Sequence, residues 1–433
     1  MRSTYRIITY GCQMNVHESE KIAGLLECEG YSVATDADTP DVVVLNTCCV
    51  RESAETRVLG NLGMLKKAKE LHPTMKIVVC GCMTQADGAA QRLAARCPFL
   101  HAILGTHNID RLPELLREPS GKTHIAISDT AGIREDQPVA RTSGINAWVN
   151  IMYGCNNFCS YCIVPYVRGR ERSRARERIL SDIRTLAQQG YKQITLLGQN
   201  VNSYGHDLGE KYDFPALLRD ISAIDGKFRV KFMTSHPKDI VSDTVNAIAE
   251  SDKFSHFIHM PAQSGSDRIL RLMNRKYTAD EYLRKIDMVR EKIPDAGLSG
   301  DIMVGFPTET EDDFADTLRL TERVRYNNLY TFIYSRRSGT PAASMDGQIP
   351  VAEKKKRIRS LIDLQCKIGN TLAAQSVGRK YEVLCTEHKN GNITGETLCG
   401  KAVVFKGDAH LVGKFVTVEI AESKNSKLYG ELR

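Results

Sequence analysis

Three cysteines fall within eight residues, Cys155, Cys159 and Cys162, in the run Tyr153-Gly154-Cys155-Asn156-Asn157-Phe158-Cys159-Ser160-Tyr161-Cys162. Thiolates hold iron–sulfur clusters, and a cluster usually takes four of them. This loop offers three, spaced C-x3-C-x2-C, and no fourth follows. Three thiolates can hold three irons of a cubane and leave the last iron open to a substrate or cofactor. Two other uses of the thiols compete with this one: a zinc site, which asks for four N or S ligands, and three unrelated buried cysteines.

A second set is dispersed. Cys12, Cys48 and Cys82 each fall just past an apolar run, at Tyr5–Tyr10, Asp41–Asn46 and Lys76–Cys80, and lie 36 and 34 residues apart. Such runs read as buried parallel strands, and in an open α/β sheet ligands bind outside the carboxyl ends of the strands. Thiols distant in sequence can therefore converge. Cys49 could replace Cys48 on spacing alone. Cys80 reads as a core residue, and Cys28, Cys97, Cys366, Cys385 and Cys399 fit no pattern.

The elements that must position these residues form three blocks. Helical patterns at about 15–28, 52–70 and 84–96 follow the first three strands, so residues 1–118 read as an open parallel α/β domain. Residues 119–144, rich in Gly, Ser, Thr, Asp and Arg, read as a linker. Over 145–372, six strands at about 147–153, 193–199, 228–234, 255–260, 298–304 and 329–335 alternate with helices, which suggests a partial TIM-like (β/α)6 barrel. Barrel chemistry sits at the C-terminal strand ends. There lie the cysteine loop, Gly198-Gln199-Asn200-Val201-Asn202, Thr234-Ser235-His236-Pro237, Pro261 to Ser266 with Gln263, and Val304-Gly305-Phe306-Pro307-Thr308. Several polar turns on one rim argue for a lined active site.

Two basic runs stand out. Arg168, Arg170, Arg172, Arg174, Arg176 and Arg178 alternate beside the cysteine loop. They read either as a solvated face or as a phosphate-binding strip, because arginine forks match phosphate oxygens. Lys354 to Arg359 reads as a solvated helix face. From 375 to 433, five short glycine-punctuated strands suggest a small OB-like β-barrel, a common nucleic-acid-binding shape. Its nine basic and seven acidic residues from Ser376 are too evenly balanced to prove RNA binding, so a barrel that only supports the core is an equal alternative.

The net charge of +7, 59 basic against 52 acidic residues, allows a polyanionic partner without demanding one. Met1 to Tyr10 holds no long apolar run behind basic residues, and no stretch approaches ~18 apolar residues, so neither export nor a membrane span is indicated. Thirteen cysteines in a cytoplasmic-looking chain favour metal or catalytic use over disulfides.

The cysteine loop resembles that of radical S-adenosylmethionine (SAM) enzymes, where an apolar residue in the place of Tyr161 meets the adenine. With a three-cysteine α/β domain before it and a TRAM-like barrel behind it, the whole chain resembles the radical SAM methylthiotransferase family. Gly11-Cys12-Gln13-Met14-Asn15, Asn46-Thr47-Cys48-Cys49-Val50-Arg51-Glu52, Gly81-Cys82-Met83-Thr84-Gln85 and Ser173-Arg174 resemble the branch acting on isopentenylated tRNA. Ala175 departs from the family, which more often has proline there.

The resemblance implies two [4Fe–4S] clusters, one on Cys12, Cys48 and Cys82 and one on Cys155, Cys159 and Cys162. It implies SAM in a pocket of Tyr161, Gly198, Gln199, Asn200, Ser235, Gln263, Val304, Gly305 and Phe306, and RNA on Arg168, Arg170, Arg172 and Arg174. The implied reaction is methylthio transfer to C2 of N6-isopentenyladenosine at position 37, beside the tRNA anticodon. Implied partners are tRNA, a reducing donor such as flavodoxin and a sulfur donor, for a cytoplasmic monomer without a membrane. Alternatives are a methylthiotransferase acting on threonylcarbamoyladenosine or a ribosomal-protein aspartate, a radical SAM methyltransferase, and a non-enzymatic zinc-binding RNA protein.

Overall fold

A computed structural model of the chain describes residues 3–36, 38–49, 52–129, 132–133, 135–209 and 212–433, with only the backbone of 52–54. The chain divides into two compact units. One comprises Met1–Thr142, Met152–Phe158 and Cys162–Arg174, the other Ser143–Ile151, Cys159–Tyr161 and Ala175–Arg433.

In the first unit, β1 (Thr4–Thr9), α1 (Gln13–Cys28), β2 (Ser32–Val33), β3 (Val42–Thr47), α2 (Glu52–Leu71), β4 (Lys76–Gly81), α3 (Cys82–Gln85), α4 (Ala89–Arg96), β5 (Ala102–Leu104), α5 (Leu112–Arg117) and β6 (His124–Ala126) follow one another. The strands form one parallel sheet in the order β2-β1-β3-β4-β5-β6. β3 is buried along its whole length, as a strand between two helical layers must be, and its apolar run Val42–Leu45 suits that place. Two cores flank the sheet, one around Ile22, Leu26 and Val44, the other around Leu45, Val58 and Ile77. The expected helix at 84–96 is two, because the backbone leaves the helix at Ala86 and restarts after Gly88 in a left-handed conformation. The expected linker contains β6, which completes the sheet on β5.

The second unit opens with β7 (Asn146–Asn150); the chain then returns to the first unit for β8 (Met152–Tyr153), α6 (Val164–Arg168) and β9 (Arg172–Ser173). It resumes with α7 (Arg176–Gln188), β10 (Gln193–Leu197), α8 (Phe214–Ser222), β11 (Arg229–Phe232), α9 (Ser242–Ala249), β12 (Phe257–His259), α10 (Asp267–Leu272), α11 (Ala279–Lys292), β13 (Gly297–Val304), α12 (Glu311–Val324), β14 (Asn328–Ile333) and α13 (Val351–Ala374). The six strands pair in parallel as two half-sheets, β11-β10-β7 and β12-β13-β14, with a bridge from Val230 to Phe254 between them. This is the expected partial barrel, with β7 and β14 as its outer strands.

β15 (Lys380–Lys389), β16 (Asn392–Thr397), β17 (Ala402–Lys406), β18 (Phe415–Lys424) and β19 (Lys427–Leu432) close a small barrel in the order β15-β16-β17-β19-β18. Its wall is antiparallel except for the pair β17–β19. This terminal barrel grips the N-terminal strand ends of the half-barrel. Arg229 donates to the carbonyls of Glu396 at 2.7 Å and Glu382 at 3.2 Å. Lys231 pairs with Glu396 at 3.1 Å, the His256 amide donates to the Leu398 carbonyl at 2.9 Å, and a Cβ on Gly297 would stand 2.1 Å from the Cys399 carbonyl.

Candidate functional site

Cys12, Cys48 and Cys82 stand at the carboxyl ends of β1, β3 and β4, three neighbouring strands. The approach is close enough to dictate glycine before two of them. Gly11 has φ +111°, and a Cβ there would lie 2.6 Å from Cys48 Cβ and 2.9 Å from its Sγ. Gly81 has φ +103°, and its Cβ would meet the Thr47 carbonyl at 2.4 Å. Asn15 and Asn46 tie the loops: Asn15 Nδ2 donates to the Thr47 carbonyl at 2.8 Å, and Asn46 Nδ2 to the Asn15 carbonyl at 2.8 Å. Cys12 is exposed, while Cys48 and Cys82 are buried.

Cys49 is also present, buried with Cys82, Ile163 and Val167. Its thiol donates to Cys82, and that bond is the main reason the Cys82 thiol sits well below its ordinary pKa; Arg168 adds to the effect against burial. Arg168 is itself buried and bonds to the Cys82 sulfur and to Asn15 Oδ1 at 3.4 Å. A cavity of about 70 Å³ adjoins it, lined among others by Glu18, Lys21, His107, Tyr153 and Arg172. Val50 and Arg51 of the second cysteine motif lie outside the described residues.

The arginine run does not form one exposed strip. Arg168 and Arg174 turn inward, Arg174 onto Glu135 at 2.5 Å. Arg172 pairs in β9 and donates to the Arg168 carbonyl. Arg170 is exposed and lies 4.4 Å over the Phe158 ring, and Arg176 pairs with Asp220. The run is not one extended segment: Arg168 ends α6, Arg172 lies in β9 and Arg176 opens α7, so arginines two residues apart do not share one face and only Arg168 and Arg174 are buried.

In the second unit, Tyr161 packs in one cluster with Phe306, Met273, Tyr334 and Met303. Phe306 and Val304 are buried, and the Gly305 amide donates to Glu309 Oε2 at 2.7 Å. Gln263 sits at φ +71° with its backbone bound to Asp301 and Met303 across β13. Gly198 is buried and Gln199 half-buried past the end of β10. Asn200 serves the frame: its amide donates to Asp239 at 2.7 Å and its Oδ1 accepts from the His236 amide at 3.0 Å.

The polar atoms left over are the informative ones. Asn202 Nδ2 and Oδ1, Thr234 Oγ1, Ser235 Oγ and His236 Nε2 are buried without a protein partner, all just past the ends of β10 and β11. Buried polar groups are ordinarily satisfied, so this rim fits a polar ligand such as the amino-acid and ribose ends of SAM. His236 is held neutral, first by burial and then by Arg275 and two lysines.

Two groups escaped the sequence reading. Arg275, just past α10, donates to Cys159 Sγ at 3.4 Å; a lone arginine after a helix carries no local signal. The run Lys354–Arg359 is not a solvated face throughout. Lys354 donates to the Tyr334 carbonyl at 2.9 Å, and Arg357 to the Glu309 carbonyl and carboxylate at 2.9 and 2.8 Å, so α13 braces the Val304–Glu309 turn. The helical spacing of these two, i and i+3, was the available clue. Among the described residues no three His, Cys, Asp or Glu side chains converge on a single-ion position.

A parallel half-barrel with a C-x3-C-x2-C loop and an unpaired polar rim defines a radical SAM enzyme, whose class uses SAM and a [4Fe–4S] cluster. Residues 149–321 match the radical SAM superfamily, 4–105 the uncharacterized protein family UPF0004, and 374–432 the TRAM domain. The radical SAM methyltransferase TsrM from Kitasatospora setae shares the fold at TM-score 0.57 and 14% identity, over 91% of this chain and 77% of that one. The chain is 49% identical to tRNA-2-methylthio-N(6)-dimethylallyladenosine synthase of Thermoanaerobacter pseudethanolicus, over 99% of its own length and 92% of the relative's. It is 46% identical to the Acetivibrio thermocellus enzyme of the same name, over 100% and 91%. The chain belongs to this family of tRNA-2-methylthio-N(6)-dimethylallyladenosine synthases.

Proposed function

We propose that the protein transfers a methylthio group to C2 of N6-isopentenyladenosine at position 37 of tRNA. The full-length likeness to synthases of that name carries this reading. An adenine C2–H bond is unactivated, and acid–base side chains cannot break it; bound SAM and iron–sulfur clusters supply the radical, the sulfur and the methyl group.

Cys155, Cys159 and Cys162 hold one [4Fe–4S] cluster and Cys12, Cys48 and Cys82 the other. Three thiols at neighbouring strand ends, with the buried Arg168 beside them, support the second assignment. Asn202, Thr234, Ser235 and His236 orient SAM through the atoms they leave unpaired. Tyr161, Val304 and Phe306 form the apolar wall that excludes water, and the backbones of Gly198, Gln199, Gln263 and Gly305 frame the pocket. Arg170 and the terminal barrel grip tRNA. A one-electron donor of the flavodoxin kind and a separate sulfur donor complete the cycle.

The test is product mass. The anaerobically reconstituted, reduced protein is incubated with SAM and isopentenylated tRNA, and the digested nucleosides are weighed. A 2-methylthio product is expected, with little reaction on unmodified adenosine. Methyl without sulfur in the product, or sulfur only on threonylcarbamoyladenosine or a ribosomal protein, overturns the proposal.

A further inference from the structure

Arg275 is buried, with 7% of its surface exposed, and a buried cation without an anion is costly. Its Nε donates to the Tyr277 hydroxyl at 2.8 Å, and its Nη2 to the Pro261 carbonyl at 2.8 Å. Both partners are neutral, and among the described residues no carboxylate pairs with Arg275. The remaining arm, Nη1, lies 3.4 Å from Cys159 Sγ. The third partner of this guanidinium is therefore the Cys159 sulfur.

The segment that carries Arg275 is itself fastened to the cysteine loop. Ser160 donates through its amide to the Met273 carbonyl at 3.0 Å and through its hydroxyl to the Leu272 carbonyl at 2.8 Å. Asn274, at φ +57°, turns the chain so that Arg275 comes back under the loop. On its other side Tyr277 meets the His236 ring, 5.7 Å between centroids, at the rim with the unpaired polar atoms. Ser160 fixes the loop's position; Arg275 adds a charge and a donor aimed at one sulfur.

We infer that Arg275 is a positioning residue that raises the reduction potential of the cluster on Cys155, Cys159 and Cys162, by donating a hydrogen bond from a buried cation to the Cys159 sulfur. The inference rests on the proposed assignment of that cluster. Hydrogen bonds to cluster sulfurs, net charge and burial set iron–sulfur potentials. Reduction adds one negative charge, which a fixed cation stabilises more than it does the oxidised state, and burial keeps water from screening the effect. The electron itself comes from the one-electron donor already invoked.

The experiment uses the full chain with Cys12, Cys48 and Cys82→Ala, so that a single cluster remains, and follows its reduction by an EPR-monitored titration. Arg275→Gln lowers the ratio of reduced to oxidised cluster at a fixed potential by about tenfold, which is 59 mV for one electron. Arg275→Lys, which keeps the charge and loses the fork, lowers it less, but at least threefold. Ser160→Ala, which loosens the loop and leaves the charge, leaves it unchanged. An unchanged ratio in Arg275→Gln overturns the inference. Where that variant takes up no iron, an unchanged ratio in Arg275→Lys overturns it instead, as does a Ser160→Ala shift equal to that of the arginine variants. Failure of the parent triple-alanine chain to take up iron is a different result, and it sinks the cluster assignment itself.

Discussion

Gly11→Ala puts one methyl group where three strand ends crowd together. At φ +111° a side chain costs about 1–2 kcal/mol in backbone strain. The new Cβ would lie 2.6 Å from Cys48 Cβ and 2.9 Å from its Sγ, against ~3.5–4.0 Å for ordinary carbon contact. Overpacking of this kind costs about 1–3 kcal/mol. The sum, ~2–5 kcal/mol, is less than the stability of most domains, so the unit folds and relieves the clash by displacing Cys48. Iron and sulfide analysis after anaerobic reconstitution should find one cluster in place of two. SAM cleavage should persist, because the barrel cysteines are untouched, while the 2-methylthio product disappears. A Gly11→Ala chain that binds both clusters and forms product at the parent rate refutes this account of why glycine precedes Cys12.

Three further outcomes follow from the same structure. Cys48→Ala should abolish the N-terminal cluster and Cys49→Ala spare it, read by iron content; the reverse pattern would show that the ligand is Cys49, the thiol bonded to Cys82. Arg229→Ala should cost about 3–5 kcal/mol in urea unfolding, because two carbonyls lose a charged donor at once, whereas Glu382→Ala, at a half-exposed carboxylate, should cost under ~1 kcal/mol; equal losses would count against the backbone contacts. Burial lowers His17, packed with Glu20, Lys21 and Arg141, from 6.5 to about 4. Because the unfolded chain binds the proton more readily, the roughly 3 kcal/mol involved is present above pH 6.5 and is lost as the pH falls towards 4. Melts of the iron-free protein between pH 7.5 and 5 should therefore fall less steeply in His17→Gln, and identical slopes would refute the assignment.

What could be read from the chain was whatever lies in short-range pattern. β1, β3 and β4 are short apolar runs whose ends could be located closely enough to see Cys12, Cys48 and Cys82 as one set, and the six barrel strands could be placed in the same way. β5 and β6, three residues each, are too short to show a period and are held by pairing with β4 and with one another. Charged groups were the least legible. Lys354, Arg357, Arg168 and Arg174 all look like surface residues by type, yet each is buried against a carbonyl, carboxylate or sulfur. Arg275 finds Cys159 from 116 residues away, and no local rule anticipates such a partner. Asn200 sits at the same rim, with one amide hydrogen bond going to Asp239 and one accepted from the His236 amide.

The grip of the terminal barrel on the half-barrel has a consequence in time. Arg229 emerges from the ribosome 167 residues before Glu396, whose carbonyl it binds, and a chain folds from its N-terminus as it is made. The floor of the half-barrel is therefore finished only once the terminal barrel, made later, has folded against it. Until then Arg229 lacks its two carbonyl partners and the backbone at Gly297 lacks its cover.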